Sequence, residues 1–244
     1  MKKTLLLGLA LASFLVGTSL GAVVPIGSGS DYTGWTVKIP DNFPFAGNVG
    51  VQFDMVDESA IYIQIFKTFY GRFEGQGTGI NLWLEFTLAD PGVSGFRPNI
   101  VIDDEWITNQ TDQRWYDFHM AVVPNLAGSP PAGSAGANTV AQSVGFDPGH
   151  LFTANVPGLN PFTQVAFDNP AAPTKIDFGG GSVNVGQTFY PGMGGGEPSN
   201  YVVIWTDMTA GQKFWLKEWP TIPEPATMGL LGVGLLGLLW RRRT

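Results

Sequence analysis

Cysteine is absent from all 244 residues, which excludes disulfides, thiolate metal sites and a cysteine nucleophile. Histidine occurs only twice, at His119 and His150, and neither stands in a metal-ligand motif. No Gly-x-Ser-x-Gly elbow is present for serine hydrolysis. Gly75-Gln76-Gly77-Thr78-Gly79 precedes a strand-like run instead of a helix, so it reads as a hairpin turn and not as a phosphate loop. Between the two terminal segments no apolar pattern repeats at helical spacing. Charged residues make up only 14% of the chain, whereas glycine (33), proline (18) and aromatics (13%) are plentiful. That balance suits a turn-rich, all-β extracellular domain and not a helical bundle.

Basic residues are also scarce. The chain has 13 Lys+Arg against 20 Asp+Glu, and five of the basic ones (Lys2, Lys3, Arg241, Arg242, Arg243) lie at the ends. The body therefore keeps 8 basic against 20 acidic residues, a net charge of −12. Such a body is a poor partner for nucleic acid or anionic lipid and is compatible with divalent cations and neutral polymers.

Period-two alternation recurs through the body. Val49, Val51, Phe53 and Met55 alternate with polar or small residues, as do Ile61, Ile63 and Ile65, and Ile80, Leu82, Leu84, Phe86 and Leu88. Further strands are expected at Trp35–Ile39, Ile100–Ile107, Arg114–Val123, Gln164–Phe167, Thr174–Phe178, Ser182–Phe189, Tyr201–Thr206 and Lys213–Trp219. Residues 124–136 and 191–198 are rich in glycine and proline and read as loops. The expected fold is all-β: a single antiparallel β-sandwich, jelly-roll-like, with long Gly/Pro-rich loops, over residues 23–219.

Several side chains are candidates for chemistry. Asp103, Asp104 and Glu105 form the densest acidic run and offer oxygen ligands for calcium, with Asp54, Asp57 and Glu58 as a second acidic turn; the alternative is a solvated loop. Glu85 and Asp117 lie on separate strands, as a glycosidase pair would, although any sandwich offers such pairs. Tyr62, Trp83, Trp115 and Trp215 fall on faces opposite or beside the apolar ones. An exposed aromatic row of this kind stacks sugar rings; the competing reading packs the rings under loops. Asn109-Gln110-Thr111 matches a glycosylation sequon by pattern only.

The two ends differ from the body. Lys2 and Lys3 precede an apolar run from Leu5 to Val16 and small residues to Ala22, the pattern of a secretory signal peptide over residues 1–22. At the other end, a linker over 220–225 carries Pro223-Glu224-Pro225. It is followed by uncharged residues 226–240 and a basic tail over 241–244. As a helix the fifteen uncharged residues rise about 22 Å, a marginal span of a hydrocarbon core of about 30 Å. Trp240 sits at the interface, and Arg241, Arg242 and Arg243 form a basic stop that favours a cytoplasmic C-terminus.

Pro223-Glu224-Pro225, the Leu/Gly-rich run and the three arginines together resemble the PEP-CTERM protein-sorting signal of Gram-negative bacteria. The resemblance covers about a tenth of the chain. It implies export across the inner membrane, transient anchoring by a C-terminal transmembrane helix and cutting by an exosortase near the Pro-Glu-Pro motif. By the same resemblance, the protein is expected at the cell surface or in the matrix of a biofilm or floc.

The expected role is a non-enzymatic structural or adhesive component of extracellular polysaccharide, with no cofactor beyond a candidate calcium ion. A carbohydrate-binding module for matrix polysaccharide is the alternative, and a secreted glycan hydrolase or lyase a third reading.

Overall fold

The computed structural model describes residues 23–39, 49–71, 81–123, 144–147, 160–191 and 202–221. The expected signal peptide over residues 1–22, the Pro-Glu-Pro motif, the apolar run and His150 lie outside the described residues. Within them the protein is all-β. The strands are β1 (Val23–Pro25), β2 (Trp35–Lys38), β3 (Val49–Val56), β4 (Ala60–Gly71), β5 (Leu82–Leu88), β6 (Asn99–Thr111), β7 (Phe118–Val123), β8 (Val144–Phe146), β9 (Gln164–Phe167), β10 (Lys175–Gly179), β11 (Thr188–Phe189), β12 (Val202–Thr206) and β13 (Lys213–Trp219). A single 3-10 turn spans Gly29–Asp31.

Two sheets result. One runs β1-β2-β5-β13-β7-β10-β9 and the other β3-β4-β6-β12-β8, with β11 added to β6. Alternation explains how they meet. Ile61, Ile63 and Ile65 of β4 and Ile100 and Ile102 of β6 are fully buried, and they share one cluster with Leu84 and Phe86 of β5 and Phe214 and Leu216 of β13. Each such side chain contributes roughly 1.5–3 kcal/mol by burial. Aromatic contacts join the sheets directly: Phe69 of β4 meets Phe118 of β7 edge-on at 5.9 Å. Phe118 in turn meets Phe189 of β11 at 5.1 Å.

The expectation of a wholly antiparallel arrangement is corrected at one place. β4 and β6 pair in parallel over their full length. Parallel neighbours need a crossover connection, and here β5, which lies between them in the chain, belongs to the opposite sheet. The crossover is thus a strand of the facing layer instead of a helix.

That parallel ladder contains an irregularity with consequences. Ile63 pairs with Ile102 but Gln64 pairs with Asp104, so Asp103 is an extra residue on β6. A bulge of this kind shifts the pleat by one residue. Ile102 faces inward, and beyond the bulge Glu105 and Ile107 are the buried residues while Trp106 is 41% exposed.

Turn chemistry is specific at Gly34, which precedes β2. Its φ is +80°, and a Cβ there would lie 2.0 Å from the Asp90 carbonyl oxygen. Its own carbonyl accepts the amides of Ala89 and Asp90, so glycine alone fits this close approach.

Candidate functional site

Strand β13 ends at Trp219, and the chain leaves the domain through buried Pro220 and exposed Thr221. That exit is held by side chains from β7, β10 and the segment before β7. The Thr221 amide donates to Asp117 Oδ1 at 2.8 Å. The Thr221 hydroxyl lies 2.8 Å from His119 Nε2. On the other side of the ring, His119 Nδ1 contacts Asp177, whose Oδ1 also receives Lys175 Nζ at 2.7 Å. The cross-strand register of β7 with β10 places His119 opposite Asp177, and that of β13 with β7 places Trp219 opposite His119. The two rings stack with centroids 5.0 Å apart. Lys217 and Lys175 lie over the indole at 4.3 and 5.7 Å.

Burial disfavours the charged imidazole, but Asp117 and Asp177 overcome this and hold the His119 pKa above the ordinary histidine value. Asp117 is lowered in turn: burial opposes its ionisation, and the bonds from His119 and Thr221 outweigh burial. Because the folded pKa of His119 lies above its unfolded value of about 6.5, the charged ring adds stability that is complete below that value. The contribution is lost as pH rises through the folded pKa. An NMR titration of the histidine rings is expected to place the His119 midpoint above the ordinary value, and Asp177→Asn should bring it down. A midpoint at or below the ordinary value contradicts the ion-paired arrangement.

A second cluster lies one residue further back and inside the core. Glu218 of β13 points inward, on the same face as Phe214 and Leu216. Lys67 of β4 follows Ile65 on the inward face, and the bulge turns Glu105 of β6 towards both. Lys67 Nζ contacts Glu105 Oε1 and Glu218 Oε2, with side-chain exposures of 1%, 0% and 0%. Burial and the neighbouring Glu105 carboxylate push Glu218 up to about 8, against the pull of Lys67. Burial opposes the charge on Lys67, but the two carboxylates outweigh it and hold its pKa above the ordinary lysine value. With Glu218 in its acid form at neutral pH, the cluster is one ammonium, one carboxylate and one carboxylic acid, with no net charge. Glu105 Oε2 and Glu218 Oε1 have no hydrogen-bond partner.

The aromatic residues that could stack on sugar are largely covered. Trp115 and Trp215 are fully buried and Trp83 is 6% exposed, so the four aromatics form no exposed row. The expected strand over Arg114–Val123 breaks before Phe118, so alternation does not carry across it. Trp115 turns into the core, stacked near Phe118, while Asp117 and His119 stay outside. Trp83 and Trp215 do lie on an outer face, but Lys217 and Lys213 extend over their rings at 5.1 and 5.4 Å. Tyr62 is half-buried and donates its hydroxyl to Asp57 Oδ2 at 2.8 Å.

In the first acidic run, Glu105 faces Lys67 in the core. Asp57 caps the β3–β4 turn: burial opposes its ionisation, and bonds from Ser59, Ala60 and Tyr62 lower its pKa to about 2. Among the described residues, no three metal-ligating side chains gather where an ion would sit. Glu85 pairs with Lys213 at 3.3 Å. Asn109 is buried with its amide donating to Gln113 and Val183 carbonyls, so it is not displayed as a glycosylation acceptor.

One exposed aromatic group went unseen in the sequence. Trp106 meets Phe66 edge-on at 5.0 Å and Tyr190 at 5.8 Å. With exposed Tyr70 on the same face of β4, these rings decorate the outside of the second sheet. The inward position of Ile107 was the available signal, since its neighbour must then face out.

Comparison with known proteins identifies the tail. Residues 221–243 match the family profile of the PEP-CTERM protein-sorting motif. The match begins at Thr221, the residue that the Asp117–His119 cluster holds against the domain. It implies export and membrane-associated processing by an exosortase. No curated protein and no solved structure matches the chain. Among the described residues no helix is long and apolar enough to cross a membrane, and the apolar run 226–240 lies outside them.

Proposed function

We propose that the chain is exosortase cargo: a non-enzymatic β-domain delivered to the extracellular polysaccharide matrix, where it serves as a structural or adhesive component. In this reading residues 1–22 direct export across the inner membrane of a Gram-negative cell, and residues 226–240 anchor the chain until it is cut near Pro223-Glu224-Pro225. The body is a single sandwich, its two sheets enclosing the shared apolar cluster. The observation that carries the reading is the sorting match, which starts two residues after the last strand, β13. The cargo and its tail therefore meet without a long stalk. Fractionating the native host's culture tests the role. The protein is expected in the extracellular polymer fraction, and a strain lacking it is expected to form weaker flocs or biofilm. Retention of all the protein in the periplasm contradicts it.

The outer aromatic group favours a second reading, a carbohydrate-binding surface centred on Trp106. Stacking on an aromatic ring is worth about 1 kcal/mol, so Trp106→Ala is expected to weaken retardation by host polysaccharide about five- to tenfold in affinity electrophoresis. Unchanged migration of the wild-type domain in that polysaccharide removes this reading.

A further inference from the structure

We propose that Lys67 and Glu218 condense inside the folded domain to form an isopeptide bond, with Glu105 as the proton relay. The three side chains are sealed from solvent, and Lys67 Nζ touches both carboxylates. They come from three different strands: β4 and β6 are paired in one sheet and β13 belongs to the other, so the cluster bridges the two sheets. Two reactants held in contact by a rigid scaffold react as one molecule, which removes the entropic cost of encounter.

The roles follow from protonation. A carboxylate anion resists attack by an amine, whereas a carboxylic acid accepts it, and Glu218 is the member of the pair that holds a proton at neutral pH. Lys67 is held charged by its two neighbours, so the first step hands a proton from Nζ to Glu105. That transfer turns an ion pair into a neutral pair, a change the dry interior tolerates because separated charges are poorly solvated there. The free amine then attacks Glu218 Cδ. One C–N bond forms and one C–O bond breaks. Glu105 passes its proton to the departing hydroxyl, which leaves as water, and takes up the second proton of the nitrogen, so it ends as a neutral acid beside the new amide. No oxidant, metal or nucleotide is required.

The product resolves two strains of the cluster. It removes a buried charge pair, and it consumes one of the two glutamates whose second oxygen lacks a hydrogen-bond partner. It also ties β4 to the last strand across 151 positions of sequence. In a cysteine-free exported chain, this supplies the covalent closure that a disulfide would otherwise give. The strand that becomes fixed is the last one, which leads into the sorting tail.

Tryptic digestion of the purified, full-length exported protein followed by tandem mass spectrometry tests the proposal. Trypsin is expected not to cut after Lys67, and a branched peptide joining Lys67 to Glu218 is expected at the summed mass less one water. Linear peptides ending at an unmodified Lys67, with no branched species, overturn the proposal, and so does a branch to Glu105. Loss of the relay in Glu105→Gln is expected to slow linkage on the order of 100-fold. Glu105→Asp keeps a carboxylate and should link more slowly than wild type but to completion. It replaces the glutamine variant if that chain does not fold. Linkage at the wild-type rate in either folded variant removes Glu105 from the mechanism.

Discussion

Relative to the wild-type domain before linkage, Lys67→Met is expected to lower the unfolding free energy by about 3–5 kcal/mol, read from the midpoint of a urea titration. Lys67 is the counter-ion to two carboxyl groups that have no exposure of their own. Methionine fills much of the same volume but leaves Glu105 and Glu218 facing each other without a cation. The deficit is expected to depend on pH. Without Lys67, which pulls the Glu218 pKa down, that pKa rises further above its present value of about 8. A carboxyl group whose folded pKa exceeds its unfolded value adds stability below the unfolded value and loses it as pH rises through the folded one. The variant should therefore be least impaired near pH 4 and most impaired in alkali. Replacing all three residues together (Lys67→Met, Glu105→Leu, Glu218→Leu) is expected to recover much of the loss, because well-packed apolar groups carry no desolvation cost. A Lys67→Met variant as stable as the wild type at neutral pH contradicts the charged-cluster account.

The second large effect concerns the tail. Converting Pro223, Glu224 and Pro225 to alanine in the exporting host is expected to leave the chain uncut and the mature form undetectable. The fifteen uncharged residues and the three arginines beyond them remain in that variant, so the uncut chain should collect in the membrane fraction. The substitutions leave the Thr221 contacts with Asp117 and His119 in place. Unimpaired maturation of this variant would show that another determinant directs the cut.

Much of the fold was legible because period-two alternation marks half-buried strands. The runs around Val49, Ile61, Leu84, Ile100, Ile204 and Phe214 all form strands, with β4 and β6 extending beyond their expected C-terminal ends to Gly71 and Thr111. Short elements escaped: Val23–Pro25 borders the expected signal peptide, and Val144–Phe146 has too few residues to alternate. The parallel pairing of β4 with β6 is a long-range property that no local pattern encodes.

The candidate site was legible only in part, for reasons tied to particular residues. Extending the alternation of Ile61, Ile63 and Ile65 by one step reaches Lys67, and extending Phe214 and Leu216 reaches Glu218. Both charged residues thus stood at inward positions that the pattern could have flagged. Glu105 could not be found this way, since its inward turn depends on the extra residue Asp103. The aromatic row failed for the opposite reason. Alternation assigns a residue to a face but says nothing of what covers it, and lysine side chains cover Trp83 and Trp215. At Trp115 the strand itself breaks before Phe118, so the face was assigned wrongly. The sorting tail was legible throughout, because its signal lies in residue order and not in the fold.

The central claim is that residues 221–243 form a removable sorting tail on an exported β-domain. Intact mass and C-terminal peptide sequencing of the protein recovered outside cells of the native host test this most directly. The expected terminus lies within or beside Pro223-Glu224-Pro225, with residues 226–243 missing. Exported protein that still carries Arg241, Arg242 and Arg243 would contradict it.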